Sequence, residues 1–224
     1  MTNRRRQTLG WVGLLLGSLA LALVAALYVL APQQAAVPSI QGAVLPSPKT
    51  LPTFQLRNHR GDAVTADSFR KGWHLVSYGF THCPDVCPTL LADLDRFQSL
   101  LDETGRFTDL TIWFYSVDPA RDSVVALANY VPWFDPRFVG LRAEDAEQAQ
   151  RFEQGLGIHA TITGTLGEAD YEVAHGFRLY LLDAEGQLRA ALAPTRNRAG
   201  QQYYEPPVLL EDYLALRRWA DKQS

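Results

Sequence analysis

The chain contains only two cysteines, Cys83 and Cys87, which stand four residues apart in the run Cys-Pro-Asp-Val-Cys-Pro. The run follows an apolar stretch, residues 74–80, so both cysteines fall where a strand passes into a helix. Two thiolates at this spacing can hold a soft metal ion between them, or they can form and break a disulfide. The pattern predicts metal binding, redox chemistry or both.

The residues around the cysteines support both uses. Pro88 suits the first position of a helix, which places Cys87 near the N-cap and Cys83 in the preceding turn. A helix N-terminus favours thiolate over thiol, and both chemistries need the thiolate. A disulfide between them would close a very short loop and stabilise the fold little, so a reversible pair is the better interpretation.

Two cysteines make an incomplete metal site, and five histidines could complete it. His175 is the first candidate because it ends an irregular stretch, residues 158–174, just before the strand predicted at 178–183. His159, in a Gly- and Thr-rich loop, is the second choice, and His82 is expected to pack or polarise the cysteine turn. We expect the two remaining histidines to be surface residues: His59 and His74.

Two thiolates and one imidazole form a soft set of low coordination number. Such a set suits Cu(I) in a trigonal site and accepts Cu(II) with an added ligand. Structural zinc sites normally use four protein ligands, and no fourth one is evident. Copper is therefore the expected metal.

The elements that must position these residues alternate between strands and helices from residue 51 onward. Strands are predicted at 75–80, 110–117 and 138–141, a β-hairpin at 178–192, and helices at 90–101, 124–131, 144–155 and 209–219. This order predicts an α/β fold, a thioredoxin-like mixed central sheet flanked by helices. The cysteines then lie at the carboxyl end of a central strand, where sites in open α/β sheets gather.

The N-terminus predicts a membrane anchor. Arg4, Arg5 and Arg6 precede an uncharged apolar run at residues 9–31, whose 23 residues would rise about 35 Å as a helix. That length crosses a bilayer of about 30 Å, with the arginines inside and the rest of the chain outside. A cleaved signal peptide is the alternative, although the run exceeds the usual apolar region of such peptides.

The remaining chain divides into a tether and one domain. Residues 1–8 are predicted to be cytoplasmic, 32–50 to form a flexible tether, and 51–224 to form the metal-binding domain. Outside the N-terminal arginines, 18 basic residues stand against 24 acidic ones, a net charge of −6. This balance argues against nucleic acid as a partner. The bacterial inner membrane, with the domain in the periplasm, is the expected location.

Three segments resemble the SCO/SenC family of membrane-tethered, thioredoxin-like copper proteins. Residues 79–89, Gly-Phe-Thr-His-Cys-Pro-Asp-Val-Cys-Pro-Thr, closely resemble the family signature. Residues 116–122 look like its second segment, and residues 171–175 followed by 180–186 look like its third. The resemblance implies that Cys83, Cys87 and His175 bind copper, one ion per chain.

The resemblance also identifies three neighbouring positions. Asp118 is similar to an Asp that lies near the family's site and could tune it, although a turn or helix cap explains it equally well. The family commonly has Asp before the ligand histidine and Ser after it, where this chain has Ala174 and Gly176. Because polar neighbours orient a ligand imidazole, these departures bear on copper affinity and Cu(II) geometry.

The implied function is a copper chaperone rather than an enzyme. It would deliver copper to the copper-receiving subunit of a respiratory haem–copper oxidase during assembly, with another periplasmic copper donor or a thiol reductant as a further partner. The alternative is a dedicated thiol–disulfide reductase, with Cys83 and Cys87 as the catalytic redox pair. The spacing departs from Cys-x-x-Cys, which argues against a general oxidoreductase. Peroxide scavenging or copper-dependent redox sensing is a third hypothesis, with less support from the sequence.

Overall fold

A computed structural model describes residues 16–24, 26, 36–164 and 171–223 of the chain. Its main sheet has eight strands in the order β1-β10-β9-β4-β5-β6-β2-β3. The twelve strands are β1 Gly42–Thr50, β2 Gln55–Asn58, β3 Ala63–Thr65, β4 Trp73–Gly79, β5 Leu110–Ser116, β6 Val139–Ala143, β7 Ala160–Thr163, β8 Glu172–His175, β9 Leu179–Leu182, β10 Gln187–Leu192, β11 Thr195–Arg196 and β12 Gln202–Tyr203. The four helices of this domain are α1 Val86–Thr104, α2 Val124–Tyr130, α3 Ala146–Leu156 and α4 Pro206–Asp221.

The centre of the sheet is buried on both sides. Strands β4, β5 and β6 are parallel, and β9 pairs with β4 in the antiparallel direction, so the sheet is mixed. Every residue of β4 is buried, which fits its continuous apolar run. Apolar residues of α1, α2 and α4 pack on one face, and those of α3 pack on the other. The predicted thioredoxin-like α/β arrangement is confirmed.

The predicted tether is wrong in its second half. Gly42–Thr50 forms β1, which pairs with β10 at the edge of the sheet from Gly42 opposite Leu192 to Thr50 opposite Gln187. A β-bulge interrupts the register between Val44 and Lys49. The polar, Pro-containing sequence hid this strand because an edge strand needs little apolar patterning and tolerates proline. The compact unit begins at Val37.

The predicted anchor lies largely outside the described residues. Residues 16–24 are helical, and they expose Leu16, Leu19, Leu21, Leu23 and Val24. Within the described ranges, no helix combines the length and the apolar character that a membrane crossing requires. The anchor at residues 9–31 stays a prediction.

Two histidines predicted at the surface are buried instead. His74 accepts a hydrogen bond at Nδ1 from the indole N–H of Trp113 at 3.0 Å. His59 accepts one at Nδ1 from the backbone N–H of Gly140 at 2.8 Å. Each imidazole accepts a hydrogen bond from a protein N–H group in place of water. Residue type and local sequence do not reveal that such a donor is present.

The stretch at residues 158–174, predicted to be irregular, contains a second small sheet. β7 and β8 pair in the antiparallel direction, with Ala160 opposite His175. Residues 165–170, between the two strands in the sequence, lie outside the described residues. This hairpin holds the predicted histidine ligand on a strand rather than on a loop.

Candidate metal centre

The cysteine loop joins the carboxyl end of β4 to the start of α1. Cys83 lies in the turn after Phe80, whose carbonyl accepts the Cys83 backbone N–H at 3.2 Å. Cys87 is the second residue of α1 and is fully buried. Gly79 makes this close packing possible, because a Cβ there would lie 2.6 Å from the Cys87 Sγ and 3.1 Å from the Phe114 ring. The turn lies where the sequence predicted it, and the helix begins at Val86, two residues before Pro88.

The two sulfurs share one proton. The Cys87 thiol donates to the Cys83 sulfur, and this bond lowers the pKa of Cys83 to about 4 although burial opposes the shift. The same bond and burial raise the pKa of Cys87 above its ordinary value. The backbone N–H of Cys87 also donates to the Cys83 Sγ at 3.4 Å. The pair therefore favours the thiolate on Cys83, and an entering metal ion would displace the proton of Cys87.

His175 faces the cysteines from the end of β8. Its Nε2 lies 3.7 Å from the Cys87 Sγ. Its Nδ1 lies 2.7 Å from the carbonyl oxygen of Gly176, which can only accept, so Nδ1 carries the proton. In this tautomer Nε2 is the nitrogen free to bind a metal, and it is the one that faces the Cys87 sulfur.

Aromatic rings and Gly176 provide the surroundings that Ala174 lacks. The Tyr78 and Phe80 rings pack against the imidazole of His175 at centroid distances of 5.5 and 5.8 Å. The Tyr78 hydroxyl fills the space beside Gly176, where a Cβ would overlap with it. A serine at position 176 would therefore clash with Tyr78. Ala174 and Gly176, which depart from the family pattern, therefore accompany a His175 that is held by aromatic rings instead of polar neighbours.

Asp122 is the residue that sequence reasoning missed. Its buried carboxylate accepts hydrogen bonds from the Thr81 backbone N–H at 2.9 Å, the Thr81 hydroxyl at 2.6 Å and the Ser116 hydroxyl at 2.6 Å. It also lies 3.6 Å from the Nδ1 of His82. These bonds fix the first residues of the cysteine loop to the end of β5. The one feature of the sequence that could have identified Asp122 is its position in residues 116–122, the second segment that resembles the family.

Asp118, unlike Asp122, forms its side-chain hydrogen bonds with residues outside the cysteine loop. It is fully buried and accepts short hydrogen bonds from the Arg121 guanidinium and the Tyr171 hydroxyl. Arg121 stacks on the Tyr171 ring at 3.9 Å and on the Phe80 ring at 5.5 Å. Asp118 thus holds Tyr171, the residue before β8. It contacts the candidate metal centre only indirectly, through Arg121 and the Phe80 ring that packs on His175.

The other two candidate histidines do not join the cysteines. The ring of His82 is half exposed beside Thr81 and Asp122, in keeping with a role in the turn. His159 lies at the start of the β7 hairpin, where its carbonyl accepts the Gly176 N–H at 3.4 Å. Of the three histidines considered as ligands, the structure brings His175 to the sulfurs.

The donor set fits a copper ion after a small adjustment. Bonds of about 2.3 Å to sulfur and about 2.0 Å to nitrogen, at a trigonal angle, place the two donor atoms about 3.7 Å apart, which is the Cys87–His175 separation. Across the described ranges, no three His, Cys, Asp or Glu side chains are placed to hold a metal as they stand. The hydrogen bond between the two cysteines has to open as the ion enters.

Comparison with known sequences supports this interpretation. The SCO1/SenC family model matches residues 43–203. A protein from Stutzerimonas stutzeri, named as a candidate copper-binding protein, is 32% identical over 74% of this chain and 80% of its own length. The human mitochondrial SCO1 homolog is 34% identical over 60% of this chain, a region that spans only 44% of that relative.

Solved structures agree with the sequence comparison. The crystal structure of Arabidopsis thaliana ScoI with copper bound has a TM-score of 0.65 at 27% identity, covering 75% of this chain and 98% of that one. Bradyrhizobium japonicum ScoI with copper bound has a TM-score of 0.59 at 29% identity, with the same coverage. The matched region contains both cysteines and His175 and extends over more than half of the sequence, and the resemblance predicted from three segments is confirmed: the chain belongs to the SCO1/SenC family.

Proposed function

We propose that the protein is a membrane-anchored periplasmic copper chaperone that binds one copper ion through Cys83, Cys87 and His175. It delivers the ion to the copper centre of a respiratory haem–copper oxidase during assembly. The observation that carries this proposal is the approach of Nε2 of His175 to the Cys87 sulfur at 3.7 Å, beside a Cys83 thiolate. Copper-bound structures of relatives with the same fold support the choice of metal.

The geometry explains how the ion can enter and leave. A cleft of about 520 Å³ opens beside Cys83 and His175, so an incoming thiolate can reach the metal from this side. Three protein ligands leave Cu(I) room for one ligand of a partner. Exchange then proceeds through shared ligands, and the ion never has to be free in solution. Another periplasmic protein or a thiol reductant supplies the copper or keeps the pair reduced.

Copper titration of the reduced full chain tests the proposal. We expect one Cu(I) per chain, and a Cu(II) form with a sulfur-to-copper charge-transfer band. His175→Ala is expected to weaken copper binding by at least about 100-fold, because it removes one of three ligands. The same variant should still form the Cys83–Cys87 disulfide. Wild-type affinity in His175→Ala would exclude the three-ligand site.

Delivery needs a separate measurement. In a host strain without the chain, wild type is expected to restore oxidase activity, and Cys83→Ser or Cys87→Ser is expected to restore none. His82→Asn is the matched control, since His82 neighbours the cysteines without facing the metal position. Full oxidase maturation by either serine variant would remove that cysteine from the mechanism.

The low pKa of Cys83 also favours the second candidate, a dedicated thiol–disulfide reductase. The Cys83 thiolate would attack one sulfur of a target disulfide and release the other as a thiolate. Cys87 would then lose its proton and attack the Cys83 sulfur, which leaves a Cys83–Cys87 disulfide and a reduced target. We expect Cys87→Ser to trap the mixed disulfide and Cys83→Ser to form none. A chain that cycles this disulfide and binds no copper would favour the reductase.

A further inference from the structure

Two exposed arginines, Arg178 and Arg196, line clefts beside the candidate metal centre, and a third exposed arginine, Arg198, follows Arg196 in the same hairpin. Arg178 precedes β9, and Arg196 and Arg198 belong to the β11–β12 hairpin. The part of the chain that the structure describes offers none of the three a salt bridge. Arg196 makes one long bond, 3.5 Å from its Nη1 to the carbonyl of Gly200. The three positive charges are therefore available to another molecule.

Two clefts connect Arg178 and Arg196 with the candidate metal centre. The first is the cleft of about 520 Å³ that contains Cys83, His175 and Arg196. The second, of about 360 Å³, is lined by Tyr78, His159, Arg178 and Arg196 among others. Arg196 lines both clefts, and neither is lined by a described Asp or Glu. A basic face thus adjoins the metal centre.

This face contrasts with the charge of the chain as a whole. Beyond the N-terminal arginines the net charge is −6, so an average surface patch carries somewhat more acidic than basic groups. The hairpin that carries Arg196 and Arg198 is ordered by its own turn, in which the Asn197 carboxamide oxygen accepts the N–H groups of Ala199 and Gln201 at 2.9 and 3.0 Å. Arg196 is held next to the cleft, and Asp85, which lines a neighbouring cleft together with Asn197, forms no salt bridge with it among the described residues.

We propose that Arg178 and Arg196 form a docking face for an acidic protein surface that presents the thiolates which take copper from Cys83, Cys87 and His175. This inference rests on the proposed function and specifies its partner by charge. Exposed ion pairs contribute little to affinity. They act mainly on encounter rate and orientation, where complementary charge raises association rates by about 10- to 1000-fold at low salt.

The test measures the rate of Cu(I) transfer from the loaded full chain, in non-ionic detergent, to two synthetic peptides. Both peptides carry two cysteines; one has several glutamates around them and the other has glutamines in their place. Dithiothreitol serves as an uncharged acceptor. We expect transfer to the glutamate peptide to be at least about tenfold faster at 10 mM ionic strength, where the screening length is about 30 Å, and the advantage to disappear at about 1 M.

A matched pair of variants localises the effect. Arg178→Gln/Arg196→Gln should lose the advantage of the glutamate peptide and keep wild-type transfer to dithiothreitol. The control Arg60→Gln/Arg106→Gln removes the same charge from two exposed arginines. They lie in the β2–β3 turn and after α1, at the amino end of the parallel strands. This control should keep the full advantage. Equal melting temperatures of the two variants show that both are folded.

The possible outcomes distinguish a failure of the docking face from a failure of the proposed copper-chaperone function. Equal rates to both peptides in the wild type would overturn the docking face and leave copper transfer standing. Equal losses in the two double variants would overturn it as well, since net charge alone would then explain the effect. Retention by anionic lipid vesicles together with equal peptide rates would assign the arginines to a membrane surface instead. A chain that binds no copper, or transfers none to dithiothreitol, would overturn the proposed function itself.

Discussion

At the residue scale, the metal centre depends on how His175 is packed. Its ring is held by the Gly176 carbonyl on one side and by Tyr78 and Phe80 on the other. The Tyr78 hydroxyl occupies the space that a side chain at position 176 would need. Residues 78 and 176 thus form a pair, and the identity of one constrains the other.

This pairing predicts a rescue. Gly176→Ser is expected to destabilise the fold by about 1–3 kcal/mol through overpacking and to weaken copper binding because His175 must move. Tyr78→Phe removes the clashing oxygen, so Tyr78→Phe/Gly176→Ser should recover most of both losses. Urea unfolding and copper competition of the two single variants and the double variant measure the coupling. Additive effects in the double variant would show that the two positions are independent.

Another buried histidine sets how stability depends on pH. Burial lowers the pKa of His74 from 6.5 to about 4, although the Asp109 carboxylate partly opposes the shift. Since the indole of Trp113 can only donate, His74 Nδ1 must stay unprotonated in the native state. The neutral form is therefore the folded form.

We expect the contribution of His74 to be complete above about pH 6.5 and to be lost as pH falls toward 4, because the unfolded chain binds the proton first. The loss amounts to about 3 kcal/mol, from about 1.4 kcal/mol per pKa unit. Urea unfolding of wild type between pH 7 and 4 should show this slope. His74→Gln, which does not titrate, should flatten it. An unchanged slope in His74→Gln would assign the pH dependence to other groups.

At the element scale, the cysteine loop is positioned by its two ends. Strand β4 brings Gly79 against the Cys87 sulfur, and α1 begins immediately after the turn. Between them, the Asp122 carboxylate accepts three hydrogen bonds that connect the loop to β5. The loop is fixed by a side chain from a neighbouring segment as well as by its prolines.

Asp122→Ala is expected to destabilise the domain by about 2–4 kcal/mol, because the buried Ser116 hydroxyl and two partly buried Thr81 donors lose their acceptor. Copper affinity should fall too, since Thr81 and the turn become free to move. Asp122→Asn retains one carbonyl acceptor and should show a smaller loss of both. Asp67→Ala, at an exposed carboxylate, is the control for stability. Wild-type copper affinity in a folded Asp122→Ala variant would show that the loop holds its shape without this anchor.

At the scale of the whole molecule, the domain reaches farther toward the N-terminus than residue 51. β1 covers the edge of β10, and the Lys49 ammonium donates to the carbonyl of Gly155 at 2.7 Å. The backbone N–H of Gln41 also donates to the Asp212 carboxylate at 3.0 Å, which links this segment to α4. The segment before residue 51 therefore belongs to the folded unit that presents the metal centre.

A chain that starts at Leu51 should consequently be less stable than one that starts at Val37. We expect a difference of about 2–5 kcal/mol in the free energy of unfolding, because the shorter chain loses the strand and exposes the edge of β10. The shorter chain should also associate more readily through that edge. Urea unfolding and light scattering of the two chains provide the comparison. Equal unfolding midpoints would show that β1 contributes nothing to the domain.

Local spacing by itself determined much of this protein. The position of Cys83 and Cys87 between a strand and a helix, the order of the main elements and the thioredoxin-like class follow from periodicity and turn residues over short windows. These features depend on contacts between residues that are close in sequence. His175 was reached by topology and by resemblance, and the structure brings it to Cys87 across 88 positions.

Only the tertiary structure decided how the metal centre is supported. The bonds of Asp122 to Thr81, the fit of the Tyr78 hydroxyl against Gly176 and the strand at Gly42–Thr50 each join segments far apart in the chain. Nothing in the local pattern of these residues differs from that of a turn, a buried aromatic or a polar linker. Their roles depend on which surfaces come into contact when the strands and helices pack together. A single sequence carries no direct signal of such contacts.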